Sequence, residues 1–275
     1  GLHLPTGSLA ALPPEVTVVP FETSFIYFPS RLLEATPADF GLAFEEVFLA
    51  TEDGVRIHAW RLPHPSPRFT ILFAHGNAGN ISHRLDRARL LASRLSAEVF
   101  LFDYRGYGRS EGRPDEQGTY RDARAAHRHL IETQGVPPDR LVLFGESLGS
   151  AVVLDLALER AARGLVLESP FTSIPDMARL VLPWLPLSAL LQTRYDNLAK
   201  VGGLKLPLLV AHGDRDEVVP FAQGRRVFEA APEPKRFHRI AGAGHNDTYL
   251  RGGEAYWEVL DEFLGRDPLP AEGRS

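Results

Sequence analysis

The sequence predicts an α/β fold, a mostly parallel central sheet with helices on both faces. Three observations carry this. An opening hairpin signal is followed by short apolar runs that alternate with longer amphipathic stretches. The apolar runs are strand-length and rich in Val, Leu, Ile and Phe, as in strands covered on both faces. One of them turns sharply, through Gly145-Glu146-Ser147-Leu148-Gly149, into an apolar helix.

The elements follow in order. Residues to about 40 form a proline- and aromatic-rich arm (Phe21, Phe25, Tyr27, Phe28) expected to pack on a main domain spanning 41–267. Strands are expected at 45–50 and 55–60 around the Glu52-Asp53-Gly54 turn. Further strands are expected at 70–74, 98–102, 141–144, 164–167, 207–211 and 236–240. Helices are expected at 82–95, 117–133, 148–162, 221–230 and 247–264. The segment 171–201 breaks the alternation. It reads as a packed connecting helix pair or as a small cap over the site, and the two readings are compatible.

Function is concentrated at Ser147. Leu141-Val142-Leu143-Phe144 precedes it as a buried strand, and Ser150 to Leu158 follows as a helix. A serine between the two lies on a nucleophile elbow, exposed at a helix N-terminus. The pattern alone is weak, because Gly108-Arg109-Ser110-Glu111-Gly112 also fits it. There the strand ends several residues earlier and Arg113-Pro114-Asp115 follows, so Ser110 is read as a loop serine.

A serine nucleophile needs a base, and the base needs a carboxylate. In elbow enzymes the chain order is serine, acid, histidine. His212, His238 and His245 follow Ser147. His245 lies in a glycine-rich loop between the last strand and the last helix, and is the expected base. His238 alternates within a strand, and His212 ends one as a packed turn residue. Asp214 and Asp216 both suit the acid, and spacing does not choose between them. Oxyanion donors are expected from the backbone N–H groups of Leu148 and of Asn77, the latter in the loop after the 70–74 strand.

Composition excludes other classes. A net charge of −5 argues against broad nucleic-acid binding, and no polybasic run suits an anionic membrane. With no cysteine there is no thiol nucleophile, disulfide or thiolate metal site. His127-Arg128-His129 has the look of a metal pair but is read as a solvated helix face, so no metal and no cofactor are expected. Gly76-Asn77-Ala78-Gly79 opens a helix as phosphate loops do, but no Lys-Ser/Thr follows. The longest apolar stretch, Leu180 to Leu191, is too short to span a membrane and contains Pro183 and Pro186. Gly1 opens the sequence and Met177 is its sole methionine, so a translated start, with any signal or anchor, is expected upstream.

His75-Gly76-Asn77-Ala78-Gly79-Asn80, Asp103-Tyr104-Arg105-Gly106-Tyr107-Gly108, the elbow, His212 to Pro220 and Gly244-His245 together resemble the α/β-hydrolase superfamily. The resemblance covers the chain from about Phe44 and points to a small, lightly capped subgroup with membrane-associated serine hydrolases and protein depalmitoylases. It implies the α/β-hydrolase fold. It also implies that the second aspartate of H-G-x-x-D-x-x-V-P, here Asp216, is the acid. The expected activity is hydrolysis of a carboxylic ester or thioester through an acyl-enzyme, on a small-molecule or acylated substrate. Trp184, Leu187 and Leu191 of the cap would line an apolar acyl pocket. Membrane association is expected only through a segment outside this chain, as in relatives with an N-terminal anchor, so the chain is either cytoplasmic or anchored in that way. An amidase or peptidase on the same fold is the main alternative, and a non-catalytic binding protein a further one.

Overall fold

Apolar side chains of the central strands fill both faces of one eight-stranded sheet. The structure is a computed structural model and describes residues 21–265; the expectations on 1–20 and on 266–267 lie outside the described residues. The strands are β1 Glu45–Ala50, β2 Arg56–Leu62, β3 Phe69–Ala74, β4 Ala97–Phe102, β5 Leu141–Glu146, β6 Gly164–Glu168, β7 Leu208–Gly213 and β8 Lys235–Ile240. Their spatial order is β1-β2-β4-β3-β5-β6-β7-β8. β2 pairs antiparallel with β1 and β4, and every other pairing is parallel.

The numbered helices are α1 Leu85–Leu95, α2 Glu116–Arg128, α3 Leu148–Glu159, α4 Ile174–Val181, α5 Leu187–Leu190, α6 Asn197–Lys200, α7 Phe221–Ala230 and α8 Gly253–Gly265, and one-turn helices also form at Thr23–Ile26 and Thr248–Arg251. Ile71 and Phe73 of β3 face Leu85, Leu91 and Leu95 of α1 and Trp257 and Leu260 of α8. Leu72 and Ala74 face the opposite layer, with Ala123 of α2, Val152 and Val153 of α3 and Val227 of α7. This is the α/β-hydrolase fold.

Local chemistry sets the boundaries. Asp115 Oδ1 accepts the Gly118 N–H at 2.8 Å and starts α2 one residue before its expected position. After Arg128 that helix widens into a π turn over His129–Thr133. The last helix, expected to be continuous from 247, breaks at Gly252-Gly253, with a one-turn helix at Thr248–Arg251 before α8. Gly253 has φ +53°, which interrupts helical geometry. In the 171–201 segment α4 stops at Val181, two residues before Pro183, and α5 starts directly after Pro186. His127 is buried and shares a hydrogen bond with Ala161 O at 3.1 Å, so its side chain is part of the packed face of α2 and not the solvated one.

Candidate active site

Ser147 joins β5 to α3 with φ +52° and ψ −116°, a left-handed conformation that side chains rarely adopt. The turn can close because its flanks are glycines. A Cβ on Gly145 would lie 2.2 Å from Gly149 O, and one on Gly149 would lie 2.0 Å from Ala74 O. The Ser147 N–H donates to Glu168 O at 2.9 Å, which ties the elbow to the end of β6.

His245 lies beside the serine, with Nε2 3.1 Å from Ser147 Oγ. Its Nδ1 lies 2.8 Å from Asp216 Oδ2. Asp216 Oδ1 accepts the N–H groups of Val218 at 2.9 Å and Val219 at 2.7 Å. Burial pushes the Asp216 carboxyl up, but hydrogen bonds from His212 and His245 outweigh it and hold the group well below the usual carboxylate range. Burial opposes charge on the His245 ring. The hydrogen bond and charge of Asp216, with Glu146 and Glu168 further off, outweigh it and raise the ring above ordinary imidazole. A buried carboxylate, an imidazole and a hydroxyl thus form one hydrogen-bonded chain, an arrangement able to move a proton off the serine.

The alternatives have other places. Asp214 accepts from Arg239 and from the Gly242 N–H at 2.7 Å, bracing the histidine loop. His238 is half-buried on β8. Ser110 is fully buried, accepts the His58 N–H at 2.8 Å and donates to Asp103 O at 2.9 Å. Arg105 holds Asp122 and Asp53 in a brace between loops.

The loop after β3 carries Asn77. His75 Nε2 donates to Asp103 Oδ1 at 2.9 Å, and the Tyr104 hydroxyl donates to His75 O at 2.6 Å. Asn77 lines a small cavity of about 60 Å³ together with Gly76, Arg84, Glu146, Ser147, Ser169 and His245. Leu148 is the first residue of α3, and its side chain is buried. Trp184 is 74% exposed, and Leu187 and Leu191 are half-buried; none of the three lines this cavity.

Two features escape a reading of the sequence. His212 is fully buried, with Nε2 3.4 Å from Asp216 Oδ2 and 2.8 Å from Val219 O, so it packs against Asp216 and is more than a turn residue. Behind the elbow lies a buried ion network. Arg87 donates to Glu146 Oε2 at 3.0 Å, to the Tyr256 hydroxyl at 2.6 Å and to Glu168. Arg84 donates to Glu146, and Thr248 to Glu168. Burial pushes Glu146 up, but the charges of Arg84 and Arg87 bring it down to about 2. Arg87 at an inward position of α1 is the signal available in the sequence, because an arginine there must find buried partners.

This fold and site define the class: the chain belongs to the α/β-hydrolase superfamily. A family model described as "Serine aminopeptidase, S33" matches residues 65–200. Rv2307c of Mycobacterium tuberculosis (strain H37Rv) is 41% identical over 241 residues, 87% of this chain and 85% of that protein. The α/β-hydrolase domain-containing protein WAV2 of Arabidopsis thaliana is 37% identical, covering 90% and 88%. The α/β-hydrolase domain-containing protein 17B of Xenopus laevis is 34% identical, covering 74% and 68%. A solved structure of the Pyrococcus furiosus esterase Pf2001 superposes with TM-score 0.72 at 21% identity, covering 88% of this chain and 98% of that one; it shares the fold. Among the described residues no helix is long and apolar enough to cross a membrane.

Proposed function

We propose that this protein is a serine hydrolase that cleaves carboxylic esters or thioesters through an acyl-enzyme. The observation that carries the reading is the unbroken chain Ser147 Oγ–His245–Asp216, with contacts of 3.1 and 2.8 Å. His245 Nε2 takes the proton of Ser147 Oγ as that oxygen attacks the acyl carbon. The carbonyl oxygen becomes an oxyanion held by the backbone N–H groups of Asn77 and Leu148. His245 then gives its proton to the leaving oxygen or sulfur, and a water repeats the sequence to free the acid. Asp216 keeps the ring oriented and stabilises its charged form. Segment 171–201, which begins two residues after the cavity-lining Ser169, is the cap. Its Trp184, Leu187 and Leu191 lie outside the cavity beside Ser147 and would meet an acyl chain only where it extends beyond that cavity.

Replacing Ser147 by Ala is expected to abolish turnover of p-nitrophenyl butyrate and labelling by a fluorophosphonate. Wild-type rates in that variant would overturn the reading.

The description of the matching family model favours a second reading, release of an amino-terminal residue from a peptide. Such an enzyme needs a free carboxylate near the nucleophile to hold the substrate ammonium. Glu146 and Glu168 lie there, but both are occupied, Glu146 by Arg84 and Arg87 and Glu168 by Arg87, Thr248 and Tyr256. This supports the ester or thioester. Faster cleavage of an alanine p-nitroanilide than of p-nitrophenyl butyrate would reverse the choice.

A further inference from the structure

The residue expected to donate to the oxyanion is held by the N-terminal arm, through its side chain and through the carbonyl of the peptide that follows it. Phe28 and Pro29 form a short parallel bridge with Ala78 and Gly79. The Phe28 N–H donates to Asn77 O at 3.0 Å, and the Ser30 N–H to Gly79 O at 3.0 Å. In return, Asn77 Nδ2 donates to Ile26 O at 2.8 Å. Asn80 Nδ2 donates to Ser30 O at 3.0 Å and Leu32 O at 2.7 Å. The Tyr107 hydroxyl gives Asn77 O a second donor at 2.7 Å. The side-chain amide and the carbonyl of Asn77 are therefore both engaged away from Ser147, while the residue still lines the cavity beside it.

The arm is itself anchored. Glu22, only 5% exposed, accepts the N–H groups of Gln192 at 3.0 Å and Thr193 at 3.1 Å, and the Thr193 hydroxyl at 2.9 Å. The Tyr27 and Tyr195 hydroxyls are 2.7 Å apart, and Tyr195 in turn meets the Thr119 hydroxyl at 2.8 Å. The arm thus runs from the 171–201 segment to the loop after β3.

An oxyanion donor works by being aimed before the reaction starts, so whatever fixes the residue that carries it contributes to the rate. We propose that residues 26–30 are a structural part of the oxyanion hole. The Asn77 side chain and the Phe28 N–H are positioning groups that aim the Asn77 N–H, and Tyr27 holds the arm that carries them. This rests on the acyl-transfer reading above. A strap that merely stabilised the fold would change the melting temperature and leave the kinetic constants alone.

The test uses the full chain with Asn77→Ala, which keeps the backbone donor, and Tyr27→Phe, which frees the arm from Tyr195. Each is assayed with p-nitrophenyl butyrate and with butylboronic acid, whose tetrahedral serine adduct places an oxygen in the hole. For Asn77→Ala, kcat is expected to fall about tenfold with KM within about twofold, and the boronic acid to bind weaker by the same factor. For Tyr27→Phe the same pattern is expected at about threefold. Unchanged kcat in a folded Asn77→Ala protein, or a fall in kcat with unchanged boronic acid affinity, overturns the proposal. If Asn77→Ala does not fold, Tyr27→Phe decides by the same two readouts. An active wild type with unmoved variants rejects the positioning role alone. A wild type that neither turns over the ester nor takes the fluorophosphonate rejects both readings.

Discussion

His212 and His245 approach the same oxygen of one carboxylate: Asp216 Oδ2 lies 3.4 Å from His212 Nε2 and 2.8 Å from His245 Nδ1. The other oxygen is held by the Val218 and Val219 N–H groups. Asp216 is thus fixed by three hydrogen-bond donors, with His212 as a longer contact, which leaves it one orientation toward His245. Replacing it by Asn removes the charge and allows an amide N–H to face the ring. A loss of about 10⁴-fold in kcat is expected by analogy with a serine protease triad. His212→Phe keeps an aromatic ring but removes the bond to Val219 O and the longer contact to Asp216, and kcat is expected to fall about three- to tenfold. Steady-state kinetics on both variants check this.

In the proposed mechanism His245 is the base, and it must be neutral to act. His245 is raised above ordinary imidazole, so kcat/KM is expected to fall with acidification through an apparent pKa above the usual 6.5 or so. In Asp216→Asn the charge that raises it is gone, and the remaining acid limb moves to lower pH. A pH profile of both proteins tests the sign; an acid limb that does not move would deny Asp216 this influence.

Glu146 is lowered to about 2 in the folded chain. A depressed carboxyl stabilises the fold above its unfolded pKa of roughly 4.3, and that contribution is lost as pH falls toward 2. Glu146→Gln is therefore expected to flatten the loss of melting temperature between about pH 5 and 2, while lowering stability at neutral pH.

Arg87 and Arg89 stand two residues apart on α1 in opposite settings. Arg87 is buried against two carboxylates, whereas Arg89 and its partner Asp86 are close to half exposed. Removing one member of a buried pair costs about 3–5 kcal/mol, and an exposed pair contributes about 0–1 kcal/mol. Arg87→Ala should lower the melting temperature on the order of 10 °C, and Arg89→Ala by about 2 °C or less.

The glycines of the elbow are tested through their missing Cβ. Gly149→Ala would place a methyl group 2.0 Å from Ala74 O, backbone that cannot give way without moving β3 from α3. Loss of soluble protein or a fall in melting temperature on the order of 10 °C is expected. Gly135→Ala meets no neighbour within 4 Å and pays only for its φ of +68°.

What the chain reveals as a string follows how local each signal is. β3, β4 and β5 are continuous apolar runs between turn residues, and their expected bounds differ from the observed ones by one or two residues. Ser147 was separable from Ser110 because its flanks are a strand and a helix. The Gly252-Gly253 break is also local, but the pattern on either side of it reads as one long helix. The rest is non-local. Arg87 meets Glu168 and Tyr256 across 81 and 169 positions of sequence, and Glu22 meets Thr193 across 171. No periodicity within α1 announces such partners. For the same reason Asp214 and Asp216 were equal by spacing, and only the direction of their side chains separates them.

The buried network has a bearing on how the chain matures. Arg87 is neutralised by Glu146 and Glu168, but Glu168 itself needs the hydroxyls of Thr248 and Tyr256, which lie near the end of the described chain. During synthesis the sheet strands β1 to β7 emerge before these residues. Until they dock, a carboxylate in a closing interior lacks two of its donors, a state that water must keep open. His245 arrives with the same final stretch. Emergence of that stretch therefore at once closes the ionic interior and brings His245 beside Ser147, so that under the proposed mechanism a partly made chain carries a serine without the means to use it.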